Sequence, residues 1–234
     1  MYKSSADIHL LFESRVYFCT YIVTALLFLD GNIPCFKNME EICKSAEVIV
    51  AADGAANRLH ELEIFPDLIV GDFDSIHEDC RNAFSQAEYI HRPEQDATDF
   101  EKCMRMISSR GIEQVRIVGA VGKRKDYSLS HFFMAMQFLK DMRIEFLFED
   151  SSAYLLTTKT WAFECPINTT MSLIPMMTCK VSLQGFQYLL DQEVLEPGYV
   201  GMSNVVTHSE SRVDILEGVA LVFFLHDRVM VKEM

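Results

Sequence analysis

Apolar and polar positions along this chain follow two rhythms, and the change falls near residue 150. Before it, short apolar runs at Ile22–Leu29, Val48–Ala51, Leu68–Val70, Val115–Val118 and Ile144–Phe148 alternate with amphipathic stretches. Largely apolar runs of this length fit strands buried on both faces, and apolar positions three or four apart fit the helices that cover them. The predicted helices are Met39–Ala46, Ala55–Leu62, Glu78–Ser85, Thr98–Ser109 and Ser128–Asp141. Strand–helix alternation predicts an α/β fold with a parallel sheet in three layers over residues 1–150.

After residue 150 the runs become Ala153–Thr157, Met171–Ile174, Lys180–Leu183, Arg212–Leu216 and Val219–Leu225. Turn signals separate them: Cys165-Pro166, Glu196-Pro197-Gly198 and Glu217-Gly218. With no long helical period, residues 151–234 read as a small all-β unit, a sandwich or partly open barrel. No repeat, low-complexity tract or linker is visible, so the two parts are expected to pack closely.

Composition narrows the function classes. Half of the 234 residues are hydrophobic, enough for a packed core, and the formal net charge is −13. That balance argues against an extended nucleic-acid groove, which needs clustered Lys and Arg. Seven dispersed cysteines without a CxxC pair fit reduced thiols in a cytoplasmic protein. The uncharged stretch Tyr17–Leu29 is 13 residues long, short of the roughly 20 that span a membrane, and is read as a strand.

Acids gather where the predicted strands end. Asp53 follows VIVAA; Asp72 and Asp74 follow LIV in VGDFDS; Asp96 and Asp99 open DATDFEKC with Lys102 one turn on; Asp126 closes GAVGKRKD. In an open parallel sheet, ligands bind beyond the carboxyl ends of the strands. Each acid also has a plain reading: Asp53-Gly54 as a turn, Asp72 and Asp74 as helix caps, and Asp96 with Asp99 as a capping box. Together they are costly, since two carboxylates 4 Å apart repel by about 4 kcal/mol at an effective dielectric near 20. A divalent cation removes that cost, and Mg²⁺ favours such oxygen ligands shared with substrate phosphates. The loop Gly119–Asp126 supplies the opposite charge through Lys123, Arg124 and Lys125. It matches neither a Walker A loop nor GxGxxG, and alone it reads equally as a solvated basic loop. The seven histidines form no HxH or HxxxH ligand pair.

The segments ADGAANRL (52–59), PDLIVGDFDSI (66–76), QDATDFEKCM (95–104), GAVGKRKDYSLSH (119–131) and GMSN (201–204) resemble, in order and spacing, the successive motifs of thiamine pyrophosphokinases. The resemblance spans about residues 20–225. It implies an α/β catalytic domain followed by a thiamine-binding β-sandwich, working as a homodimer. The implied reaction moves the terminal pyrophosphoryl group of ATP to the hydroxyethyl oxygen of thiamine, giving thiamine diphosphate and AMP. By similarity, Asp72, Asp74 and Asp99 hold Mg²⁺ with Asp96 nearby on the substrate side. Asp53, Asn57 and Arg58 line the nucleotide side, and Lys102 is a further phosphate contact. Arg124 meets the phosphates, and Asp126 orients that loop or helps accept the hydroxyl proton. Ser203 and Asn204 belong to the thiamine pocket.

Four departures stand out. Gly54-Ala55 replaces a double glycine. Lys123 replaces a glycine, and Tyr127, on the nucleotide side, stands where the family carries His or Gln. At the point where eukaryotic members carry a thiamine-stacking Trp, this chain has Gly185-Phe186-Gln187-Tyr188. Tyr188 is there as a stacking residue or as a sandwich aromatic. The competing functions are a pyrophosphokinase acting on a pterin-like hydroxymethyl heterocycle, and a catalytically weak nucleotide- or thiamine-binding protein.

Overall fold

The structure, a computed structural model, describes residues 23–34, 39–122, 124–199, 201–226 and 229–234. Tyr17–Ile22 of the uncharged stretch and Lys123 of the basic loop lie outside the described residues. Six strands, β1 (Thr24–Phe28), β2 (Val48–Ala52), β3 (Leu68–Gly71), β4 (Glu88–His91), β5 (Gln114–Val118) and β6 (Arg143–Leu147), run parallel in the order β6-β5-β1-β2-β3-β4. They are separated by α1 (Met39–Lys44), α2 (Asp53–Glu61), α3 (Glu78–Ala83), α4 (Asp99–Ser109) and α5 (Lys125–Ala135), the last continued by a 3-10 turn at Met136–Phe138. β1 is buried at every position, as its unbroken apolar sequence requires. Among the described residues no helix is long and apolar enough to cross a membrane.

The chain steps outward from β1 to β4 and then returns to the other side of β1 with β5. The order therefore reverses between β1 and β5, where an open sheet has its ligand crevice. The loops after these strands touch. Leu29 N–H donates to Val118 O (2.9 Å) and Asn32 N–H to Val121 O (2.7 Å). A Cβ on Gly31 would lie 2.0 Å from Gly119 O, so only glycine allows this approach.

Beyond residue 150 lie β7 (Ser152–Leu156), β8 (Thr160–Glu164), β9 (Thr170–Pro175), β10 (Cys179–Gln184), β11 (Leu190–Leu195), β12 (Gly201–Val205), β13 (Glu210–Glu217), β14 (Ala220–Phe224) and β15 (Met230–Glu233). The sheet does not stop where the rhythm changes. β7 turns back antiparallel on β6, and β14, β9 and β12 follow, making one ten-stranded sheet. A second sheet, β11-β10-β13-β8-β15, covers it, so the all-β part is a sandwich that borrows its first sheet from the α/β part. Alternation along β7 serves both cores: Ala153 and Leu155 face the α/β core, and Tyr154 and Leu156 face the sandwich core.

Five strands escape the sequence pattern. β4, β11, β12 and β15 lie at sheet edges and expose much of their length, so their apolar content is diluted. β8 alternates over only five residues, TWAFE, which is too short a period-2 signal to stand out.

Candidate active site

The apolar strand β2 ends at Ala52, and Asp53 is the first residue of α2. Its carboxylate is 3% exposed and accepts two backbone bonds, from Gly54 N–H (2.7 Å) and Phe73 N–H (2.9 Å). It lies against Gly71 at the end of β3, where any Cβ would approach Asp53 Cγ to 2.4 Å. Glycine at 71 thus lets the acid of one strand end pack on the next strand. The following loop kinks at Phe73, whose φ of 66° is unusual for a bulky residue. Such a backbone costs roughly 1–3 kcal/mol and persists where its surroundings hold it. Here the Phe73 ring packs edge-on to Tyr89 (5.4 Å) and near His91 (5.6 Å), and Arg81 donates to Phe73 O.

That kink leaves Asp72 and Asp74 beside Asp53. One carboxylate oxygen from each of the three lies within 4.8 Å of the others, a set of hard oxygen donors of the kind Mg²⁺ takes. Burial pushes the Asp53 carboxyl upward, and the charge of Asp99 adds to the shift. Asp72, nearly exposed, is held below its usual range chiefly by the N–H of Asp74, helped by Gln95 and Lys102. Ser75 donates to Asp74 Oδ1 (2.7 Å).

Asp99 opens α4, which packs on β2 and β3. Its carboxylate is outside the trio and pairs with Lys102 (3.4 Å), a buried cation that offsets the nearby negative charge. The capping box predicted on Asp96 and Asp99 sits two residues further along. Thr98 is the N-cap and Glu101 completes it, with Thr98 N–H donating to Glu101 Oε2 (3.1 Å). Threonine and glutamate satisfy the helix end, so neither aspartate is consumed by capping. Asp96 is exposed on the loop before α4.

The cationic loop follows β5, the strand beside β1 at the reversal point. Arg124 grips Asp126 through two bonds, Nε to Oδ1 (2.9 Å) and Nη2 to Oδ2 (2.6 Å). The guanidinium pulls the exposed Asp126 carboxyl down to about 2. Ser128 ties the loop, accepting from Gly122 N–H (3.0 Å) and donating to Arg124 O (2.9 Å), and Lys125 Nζ donates to Gly122 O (2.9 Å). Tyr127 lies under the Arg124 guanidinium.

Other predicted residues have structural positions. Asn57 clamps the loop after Asp74, donating to Ser75 O (2.7 Å) and accepting from His77 N–H (2.9 Å). Arg58 points outward and pairs with Glu61. Asn204 is buried; it accepts from Tyr188 N–H and Val205 N–H (2.9 Å each) and donates to Tyr188 O (2.8 Å). Ser203 takes a left-handed φ of 60° and its N–H reaches Ser172 Oγ (3.1 Å). Tyr188 is 63% exposed and is not a core aromatic.

One neighbour of the site escaped the sequence reading. Asp30 follows β1, and a Cβ on Gly54 would lie 3.1 Å from its carboxylate. The signal is the one that marks Asp53, an Asp-Gly pair directly after an apolar run.

A carboxyl edge carrying clustered acids, next to a cationic loop at the reversal of strand order, defines an open-sheet α/β protein with its ligand site at that edge. Residues 39–147 match the family model "Thiamin pyrophosphokinase, catalytic domain", and residues 164–219 match "Thiamin pyrophosphokinase, vitamin B1 binding domain". The chain belongs to the thiamin pyrophosphokinase family. It is 29% identical over 204 residues to thiamin pyrophosphokinase 1 of Caenorhabditis elegans, covering 79% of this chain and 82% of that one. It is 28% identical over 221 residues to thiamine pyrophosphokinase 1 of Oryza sativa subsp. japonica, covering 81% and 82%. The fold is shared with the crystal structure of thiamine pyrophosphokinase from Bacillus subtilis (TM-score 0.75, 21% identity, 88% of this chain and all of that one). The yeast thiamin pyrophosphokinase structure is equally similar (TM-score 0.75, 18% identity, 88% and 87%).

Proposed function

We infer that this chain is a thiamine diphosphokinase: it transfers the pyrophosphoryl group of ATP to thiamine, producing thiamine diphosphate and AMP. The observation that carries this reading is the pairing of the two family domains in one chain with the acidic trio intact. The pterin-like acceptor is not favoured, because the second domain matches a vitamin B1 binding domain, and the weak binder is not favoured, because the first matches the catalytic domain and the curated relatives are thiamine pyrophosphokinases. In this reaction the thiamine hydroxyl oxygen bonds to the β-phosphorus of ATP. The bond from that phosphorus to the α–β bridging oxygen breaks, AMP leaves with that oxygen, and the hydroxyl proton is released.

The residues contribute positioning and charge rather than covalent chemistry. Asp53, Asp72 and Asp74 are the proposed Mg²⁺ ligands on geometry, and the family resemblance adds Asp99. The ion supplies neutralisation of phosphate charge when bound. Arg124 and Lys102 are the cationic phosphate contacts, and Asp126 keeps Arg124 in place. Asn57 fixes the loop that carries Asp74. Asn204 fixes the backbone of Tyr188, so that this exposed ring is available to a flat cation such as thiamine.

We propose a homodimer on the strength of the exposed apolar side chains Tyr188, Leu189, Val194 and Met202, which lie on or beside the unpaired edges β11 and β12. A cytoplasmic setting is supported by the described cysteines, Cys43, Cys80, Cys103, Cys165 and Cys179, all of which are free thiols. The reaction type is tested with ATP labelled at the β-phosphate. Label recovered in thiamine diphosphate supports pyrophosphoryl transfer; label retained in ADP contradicts it.

A further inference from the structure

The cationic loop holds an arrangement that the motif pattern does not contain. Arg124 Cζ lies 4.5 Å from the centroid of the Tyr127 ring. Tyr127 is backed by His131 (6.1 Å), and His131 by Phe100 of α4 (5.1 Å). His131 is itself fixed, with its Nδ1 2.7 Å from Ala120 O in the loop after β5. A column of guanidinium, phenol, imidazole and phenyl thus runs from the exposed loop into the core. It ends on the helix that begins with Asp99.

We propose that Tyr127 is a positioning residue for Arg124, holding the guanidinium ready for the polyphosphate of the nucleotide, with Asp126 as its resting partner. This rests on the functional reading above. Most of the Arg124 side chain is exposed, and a free arginine carries rotamer entropy that binding must remove. Stacking uses the face of the guanidinium, whereas hydrogen bonds use its edge. Phosphate oxygens can therefore take over the edge that Asp126 holds while Tyr127 keeps the face.

The test is a double-mutant cycle on Mg-ATP affinity, measured by calorimetry without thiamine. An exposed cation–π contact of about 0.5–1 kcal/mol corresponds to roughly two- to fivefold in affinity. Tyr127→Leu should weaken binding by about that factor, and Tyr127→Phe should restore it by restoring the ring. In an Arg124→Ala background, Tyr127→Leu should have no further effect. Tyr127→Gln gives a second variant without the ring, and thermal melting checks that each protein is folded. An equal penalty in both backgrounds, or a Phe variant as weak as the Leu variant, would overturn the inference while leaving the functional reading intact. Failure of the unaltered protein to bind Mg-ATP would overturn both.

Discussion

Asp53 and Phe73, twenty residues apart, are joined by a 2.9 Å bond from the Phe73 N–H to the buried carboxylate. The bond ties the end of β2 to the kinked loop after β3 and sets the acids of both strands side by side. The Asp53→Asn variant keeps an oxygen to accept that bond but removes the charge. It should lower Mg²⁺-dependent formation of thiamine diphosphate by about 10- to 100-fold. Melting temperature should change little, because relief of the buried carboxylate is offset by the Gly54 N–H, which loses its acceptor oxygen to the new amide. Steady-state assays and thermal melts on the same protein check both halves.

Phe73 combines a backbone that prefers glycine with a ring that packs on Tyr89 and His91. Phe73→Gly loses the packing but relieves the strain, whereas Phe73→Ala loses the packing and keeps the strain. The glycine variant should therefore be the more stable of the two by up to about 1 kcal/mol, as read from urea unfolding.

Much of this arrangement is legible in the sequence, for physical reasons. β1, β2 and β3 are near-continuous apolar runs because both faces are covered, whereas β5 and β6 alternate and carry the half-buried pair Arg116 and Glu145; an acid or glycine directly after such a run marks the carboxyl edge. Edge strands such as β11 carry four exposed residues in a row, and their assignment depends on the neighbour they pair with. The roles of Asn57 and Asn204 depend on backbone groups 18 and 16 residues away, a relationship no local pattern encodes. The helix cap at Thr98 was legible but competed with a second acid pair of the same spacing, Asp96 and Asp99. Asp30 carried the right signal at the end of a run read mainly for its length.

Asn204 makes three backbone bonds from a buried position. Asn204→Ala leaves the Tyr188 amide and carbonyl without that partner and should destabilise the fold by about 1–3 kcal/mol. The KM for thiamine should rise with it, because the exposed Tyr188 ring is no longer held. Chemical denaturation and KM measurements give the two readouts.

His131 is held below its ordinary range chiefly by burial, opposed by its bond to Ala120 O. Its folded pKa lies below the unfolded value of about 6.5, so the unfolded chain takes up the proton first. The stability difference is absent above that value and grows as pH falls through 6.5 toward the folded pKa. Stability should decline between about pH 7 and pH 5, and His131→Asn should remove part of the decline. Urea midpoints across that range test this directly.

The central claim concerns the reaction, and the most direct measurement is product stoichiometry. Purified protein incubated with thiamine and Mg-ATP should form thiamine diphosphate and AMP in a one-to-one ratio, with no ADP. A folded protein that forms ADP instead, or that forms neither product, would contradict the account.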